Sequence, residues 1–229
     1  MVNVLYHQGR YDEALEWYGE VLAREEKSLR KDHPDTFSTA YCIANVFWRQ
    51  GKYDEALEWY KRALAGLEKS LGKDHPDTLS TVHGMANVFY RKGKYDEALE
   101  WYRRALDARE KFLGKDHPDT LATVHGMANV LYCQRKYNEA LEWYGRVLDG
   151  EEKSLSNDHP DSLSTAYCIA NVFWGQGKYD KALEWYRRAL AGEEKSLGKD
   201  HPDTLFTVYS MANLFQRLGK DNEALFFFR

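Results

Sequence analysis

Six asparagines recur at an interval of 42 residues: Asn3, Asn45, Asn87, Asn129, Asn171 and Asn213. A primary amide carries both donors and acceptors, the same groups a peptide backbone presents. A row of such amides is suited to hold an extended chain with little regard to its side chains. Mid-helix asparagine is unfavourable by up to about 0.7 kcal/mol against alanine, so its recurrence asks for a reason. The competing reason is tolerance and copying by duplication. At helical spacing each asparagine shares a face with residues three and four positions away. The sets are Ser38, Tyr41, Asn45, Trp48, Arg49, then Ser80, His83, Asn87, Tyr90, Arg91, then Ala122, His125, Asn129, Tyr132, Cys133. They continue as Ser164, Tyr167, Asn171, Trp174, Gly175 and end as Phe206, Tyr209, Asn213, Gln216, Arg217. The formal charges on this face are Arg49, Arg91 and Arg217, with His83 and His125 beside them and no carboxylate. An acidic or aromatic-rich segment is therefore the expected ligand, with the tryptophans and tyrosines as its anchors.

Other reactive residue types carry less. Five Asp-His-Pro-Asp motifs, around His33, His75, His117, His159 and His201, have ligand-type side chains, yet each offers one histidine in its own repeat. Capping of a helix start is the expectation there, with no metal and no cofactor. Cys133 lies on the asparagine face without a recurring histidine–acid partner, so a catalytic thiol is not expected and the chain reads as no enzyme. Trp17, Trp59, Trp101, Trp143 and Trp185 sit beside core tyrosines and are expected to pack between layers. The Glu-Glu-Lys-Ser and Asp-Glu-Ala-Leu-Glu runs read as solvated helix faces.

What positions these residues is the repeat itself. Ala14, Ala56, Ala98, Ala140, Ala182 and Ala224 keep the 42-residue step, as do Pro34, Pro76, Pro118, Pro160 and Pro202. A fixed period of this size belongs to stacked arrays. Within a repeat, Leu121, Val124, Met127, Ala128 and Leu131 give one apolar stripe over residues 119–134. Ala140, Leu141, Tyr144, Val147, Leu148 and Leu155 give a second over about 136–155. Two helices per repeat follow, with Gly9, Gly51, Gly93, Gly177 and Gly219 at the turn between them. In the longer link the proline suits a first helical turn, and the aspartates complement the helix dipole and can cap it. Neither helix buries its stripe alone, so neighbours are needed. The formal net charge of −4 gives no broad footprint for nucleic acid. No apolar run reaches membrane-spanning length and no leader precedes the repeats, so no membrane partner is expected. Cys42 and Cys168 occupy equivalent sites three repeats apart, beyond disulfide reach in a stacked array, which points to a reducing, cytoplasmic setting.

The segment MANVFYRKGKYDEALEWYRRAL, residues 85–106, resembles a tetratricopeptide repeat. The family's small and aromatic positions fall on Ala86, Phe89, Gly93, Ala98, Tyr102 and Ala105. Its tryptophan is here Val82 and its closing proline Glu110, so the second helix runs on before Leu-Gly-Lys-Asp-His-Pro-Asp-Thr. That longer repeat is similar to those of kinesin light chains and of the near-identical C-terminal arrays of fungal NOD-like receptors. The resemblance implies an all-α, right-handed superhelical solenoid of antiparallel helix pairs. It would be a single array over residues 1–229 of about five repeats, with truncated helices at both ends and no second domain. It also implies that first helices line a concave groove, where asparagines of related arrays bind peptide backbone. With layers about 10 Å apart and about 3.3 Å per extended residue, five repeats address roughly 15 residues. The expected function is a non-catalytic scaffold binding a peptide segment, as the recognition array of a receptor-like protein. A cargo adaptor like kinesin light chain and a self-stacking rod are the alternatives.

Repeats three apart match best: Ala40/Ala166, Cys42/Cys168 and Trp48/Trp174 return together, as do Val82/Val208 and Met85/Met211. A three-repeat block reads as duplicated, which makes uniformity a weak argument for selection. The chain begins half-way through a first helix and stops within a second, at Leu225-Phe226-Phe227-Phe228-Arg229, so it is expected to be a fragment whose open ends associate. Departures from the consensus are the first places to seek specificity: Arg135 at a turn glycine, Lys181 at an acidic site, and Phe206, Gln216 and Asp221.

Overall fold

A computed structural model of the chain describes residues 2–29, 33–155 and 158–220. Ala224, Asp221, Leu225 to Phe228 and the side chain of Asn3 lie outside the described residues. The described part is helical and divides into two compact units, Met1–Phe112 and Leu113–Arg229. The first holds α1 (Val2–His7), α2 (Tyr11–Ser28), α3 (Pro34–Arg49), α4 (Tyr53–Ser70), α5 (Pro76–Arg91) and α6 (Tyr95–Phe112). The second holds α7 (Pro118–Cys133), α8 (Tyr137–Ser154), α9 (Pro160–Gly175), α10 (Tyr179–Ser196) and α11 (Pro202–Arg217). Within each unit every helix packs on the next in sequence, and α3 also touches α5, so first helices stand side by side. Each unit is all-α and built of antiparallel helix pairs, with first helices of 16 residues in α3, α5, α7, α9 and α11 and second helices of 18 in α2, α4, α6, α8 and α10.

The apolar stripes become the core. Leu121, Val124, Met127, Ala128 and Leu131 are all buried, as are Ala140, Tyr144, Val147 and Leu148. The exceptions are Leu141, which is half-buried, and Leu155, 45% exposed just past the end of α8. Tyr60, Tyr102, Tyr144 and Tyr186 are the largest fully buried side chains, one at the centre of each of α4, α6, α8 and α10. Trp59 and Trp101 pack on the core of the first unit and Trp185 on that of the second. Trp17, by contrast, is exposed.

Each link ends in one device. In His33, His75, His117, His159 and His201 the ring Nδ1 accepts the backbone N–H two residues on, at 3.1–3.3 Å. Proline follows at the first helical position. The histidine, not the aspartate, is therefore the side-chain cap; the aspartate behind the proline sits in the first turn, where its charge complements the dipole. The turn glycines adopt φ of +70 to +75°, and Arg135 takes the same left-handed conformation at φ +59°.

The Asp-Glu-Ala-Leu-Glu glutamates are exposed, but most of those of the Glu-Glu-Lys-Ser run are not on a solvated face. Glu26, Glu68 and Glu152 pair with Arg62, Arg104 and Arg188 of the next second helix, tying layer to layer. The preceding position is more buried still, with Glu193 only 4% exposed. A helix wheel explains it: residue 151 continues the stripe of Tyr144, Val147 and Leu148 at spacings of seven, four and three.

Candidate functional site

The site face is carried by the first helices, and its asparagines are bound from beneath. The hydroxyls of Tyr60, Tyr102, Tyr144 and Tyr186 donate to Oδ1 of Asn45, Asn87, Asn129 and Asn171 at 2.5–2.6 Å. Each tyrosine is all but fully buried, and burial drives the pKa of Tyr60, Tyr102 and Tyr186 far above the ordinary range. The asparagine thus satisfies a hydroxyl that would otherwise be stranded in the core. Its amide nitrogen serves the residue one turn back. Asn129 Nδ2 donates to His125 Nδ1 at 3.1 Å, while Asn45 and Asn171 bond the hydroxyls of Tyr41 and Tyr167. Of an amide's two N–H donors and two acceptor sites, Asn45, Asn129 and Asn171 use one of each internally and keep one of each. Sequence reasoning did not find this role, although the constant spacing of 15 residues from asparagine to tyrosine was there to be read.

The neighbouring residues are tied down as well. Arg49, Arg91 and Arg217 are exposed, and their Nε–H groups donate to Tyr6, Tyr53 and Tyr179 at 3.0–3.2 Å. Trp48 and Trp174 are half-buried against the core clusters, Trp48 beneath the Arg49 guanidinium and Trp174 edge-on to Tyr186. Tyr90 and Tyr132 lean on Tyr95 and Tyr137. Tyr209 is 55% exposed beside the equally open Phe206. Asn213 is half-buried on α11. Among the departures from consensus, Lys181 lies over the Phe173 ring, 5.6 Å from its centroid.

The histidines are not cations. His83 rests against Tyr102, its Nδ1 3.5 Å from the Arg109 guanidinium; burial, helped by that charge, pushes its pKa down to about 3. His125 is lowered by burial too. Because its Nδ1 accepts from Asn129, its proton is on Nε2, 3.8 Å from Cys168 Sγ. The pair resembles a catalytic Cys–His arrangement only in outline. Burial raises the Cys168 thiol to about 11 while the imidazole is held neutral, the reverse of a thiolate–imidazolium couple. All three cysteines, Cys42, Cys133 and Cys168, are free thiols. Among the described residues no three histidine, cysteine or carboxylate side chains gather as a metal site.

The first-helix positions of the asparagine sets carry no carboxylate, but the second helices and the first turns of the first helices bring some to the same face. Between first helices lie small cavities floored by the second-helix position that carries Leu67, Glu151 and Glu193. The first, of about 150 Å³, lies beside Tyr41, Cys42 and Leu67. A second, of about 300 Å³, has Glu151 and Asp161 in its wall beside His125. A third, of about 310 Å³, has Glu193 and Asp203 beside Tyr167 and Phe206. Thr165 Oγ1 donates to Glu151 Oε2 at 2.8 Å, yet burial, with Asp161 adding to it, still raises that carboxyl to about 7. Burial raises Glu193 as well, against a hydrogen bond from Thr207.

No helix among the described residues is long and apolar enough to cross a membrane. Among solved structures, a Podosopora anserina protein of nearly identical TPR-like repeats, named for kinesin light chain, matches with a TM-score of 0.72 at 26% identity, over 86% of this chain and 93% of that one. BtubC (BKLC) from P. vanneervenii matches with a TM-score of 0.78 at 18% identity, over 95% and 87%. A Rap protein complexed with Competence and Sporulation Factor matches at 0.69 and 15% identity, over 100% and 71%. No curated protein sequence gives a significant match. The tetratricopeptide repeat model matches residues 1–69, 35–111, 77–153 and 161–229, and with this coverage the chain belongs to the tetratricopeptide repeat family.

Proposed function

We propose that the chain is a protein-binding module whose first-helix face holds an extended peptide segment, with no catalytic step. The observation that carries this reading is the asparagine row: each Oδ1 is anchored by a buried tyrosine, so the amide stands in a fixed orientation with a donor and an acceptor to spare. Preorganised groups lose less entropy on binding than free side chains do. Asn45, Asn87, Asn129 and Asn171 address the ligand backbone in this reading. Tyr41, Tyr167, Tyr209, Trp48, Tyr90, Tyr132 and Trp174 flank it, and Arg49, Arg91 and Arg217 border it. The family is one of interaction scaffolds, and near-identical repeats favour the recognition array of a larger receptor-like protein in the cytoplasm over a cargo adaptor.

The test is partner capture with wild type against a variant carrying Asn→Ala and Tyr→Phe together at 45/60, 87/102, 129/144 and 171/186. Captured proteins should be lost in the variant, and a linear fragment of about 15 residues from one of them should rebind wild type. Equal capture by both proteins, or recovery of nothing except further copies of this chain, sinks the reading and leaves a self-stacking rod.

A further inference from the structure

Glu193 is a carboxylate that its own fold satisfies only in part, through Thr207. It is 4% exposed, and its Oε2 receives no hydrogen bond from any described residue. It forms the floor of the cavity of about 310 Å³, whose walls include the Tyr167 and Phe206 rings, 5.5 Å apart, with Asp203 among the lining residues. A buried carboxylate with an open valence beside aromatic rings fits one kind of side chain. A guanidinium is planar, permanently charged, weakly hydrated, able to stack on a ring and able to donate two parallel hydrogen bonds. One repeat earlier the cavity around Glu151 has the same plan, with Asp161, Ser164 and Thr165 on its wall. Ser164 lines both cavities, so they are successive stations on one face.

We propose that these two acidic cavities are side-chain subsites for arginine, and that they take two arginines three residues apart in one extended segment. The spacing follows from a layer of about 10 Å and the rise of about 3.1 Å per residue of a polyproline II segment, whose three residues per turn bring the second arginine back to the same face. The subsites rest on the peptide-groove reading and add a choice of side chain to it. They also reverse the charge expected of the ligand over this unit. In the first unit the equivalent position carries Glu25, then Leu67, then the buried Arg109, and the last two close it to such a cation.

The experiment is fluorescence anisotropy with labelled twelve-residue peptides at fixed ionic strength. One has Arg-Ala-Ser-Arg at its centre, one has adjacent arginines, and one has Glu-Ala-Ser-Glu. The first should bind wild type at least tenfold more tightly than the third and more tightly than the second. E151Q/E193Q keeps size and hydrogen bonding and should lose at least tenfold for the first peptide alone. E193L copies the packing of Leu67, so it should fold and lose binding likewise; circular dichroism checks both variants. Equal affinity for wild type and E151Q/E193Q, or preference for the acidic peptide, overturns the subsites. Binding of all three peptides alike that depends on the asparagines overturns them as well while leaving the groove reading intact. Absence of binding by every peptide also overturns them, and partner capture then decides the groove by itself.

Discussion

Removing Asn87 alone should unfold more than it unbinds. Tyr102 is 1% exposed and its hydroxyl donates to Asn87 Oδ1 at 2.5 Å. Asn87→Ala leaves that hydroxyl buried with its partner gone, which costs about 1–3 kcal/mol. Tyr102→Phe removes the donor and leaves a half-buried amide oxygen that water can reach, for about 1 kcal/mol. The pair together strands nothing, so the double variant should be more stable than the sum of the singles predicts by about 1 kcal/mol or more, the coupling of the cycle. For a chain of this size about 1–3 kcal/mol is on the order of 2–12 °C in Tm. Urea and thermal unfolding followed by helicity, fitted with a nearest-neighbour repeat scheme because arrays depart from two-state behaviour, would read it. A coupling within about 0.3 kcal/mol of zero refutes the idea that the asparagine serves the core. The arithmetic also governs how the groove is tested. Four bare Asn→Ala changes would cost about 4–12 kcal/mol, comparable to the whole stability of a typical domain, and lost binding would then report unfolding.

Arg135 holds a left-handed φ of +59° where the other turns have glycine. Arg135→Gly should raise stability by up to about 1 kcal/mol after the entropy glycine gives the unfolded chain, and Arg135→Val should lower it; urea midpoints decide. Glu151 is raised from an ordinary 4.5 to about 7 by burial. The folded chain then holds a proton the unfolded one has released, and stability falls as pH rises from about 4.5 to about 7. Asp161, His125 and Thr165 are the groups about it. Glu151→Gln should flatten that slope, and an unchanged slope would place its origin elsewhere. His75 caps α5 through Nδ1; His75→Ala should cost about 1 kcal/mol and His75→Asn should recover most of it, by thermal melts of both.

The fold was legible because the signals that set it are local and repeated. The stripe through Leu121, Val124 and Met127, the proline at each first turn and the glycine before each second helix name the elements and nearly their ends. What escaped were the residues whose role depends on a neighbour in another helix. Nothing within residues 85–91 tells that the Asn87 amide serves Tyr102. Nothing within Asp-His-Pro-Asp tells whether histidine or aspartate reaches the free N–H. His83 and His125 counted as groove cations until burial and the Arg109 guanidinium made the first of them neutral to about pH 3. The glutamates were misread for a different reason. They carry charge, and charge suggests solvent, whereas the stripe through Tyr144, Val147 and Leu148 already ran through residue 151. Leu67 at the equivalent site was the visible warning.

That position also answers the difficulty which duplication creates. Where a block has been copied, likeness between copies carries little information, and the asparagine row taken alone is open to that objection. Difference between copies is not. Residues 37–60 and 163–186 agree at most sites, yet the cavity they frame has Leu67 and Ser80 in one copy and Glu193 and Phe206 in the other. Placing a carboxylate where a leucine fits costs stability, and it does so in a cavity twice the size, beside an added ring. Drift that only tolerates change has no reason to pair a partly satisfied anion with an aromatic wall. A binding preference does: if the asparagines hold a ligand's backbone as proposed, such positions are what decide whose backbone it is.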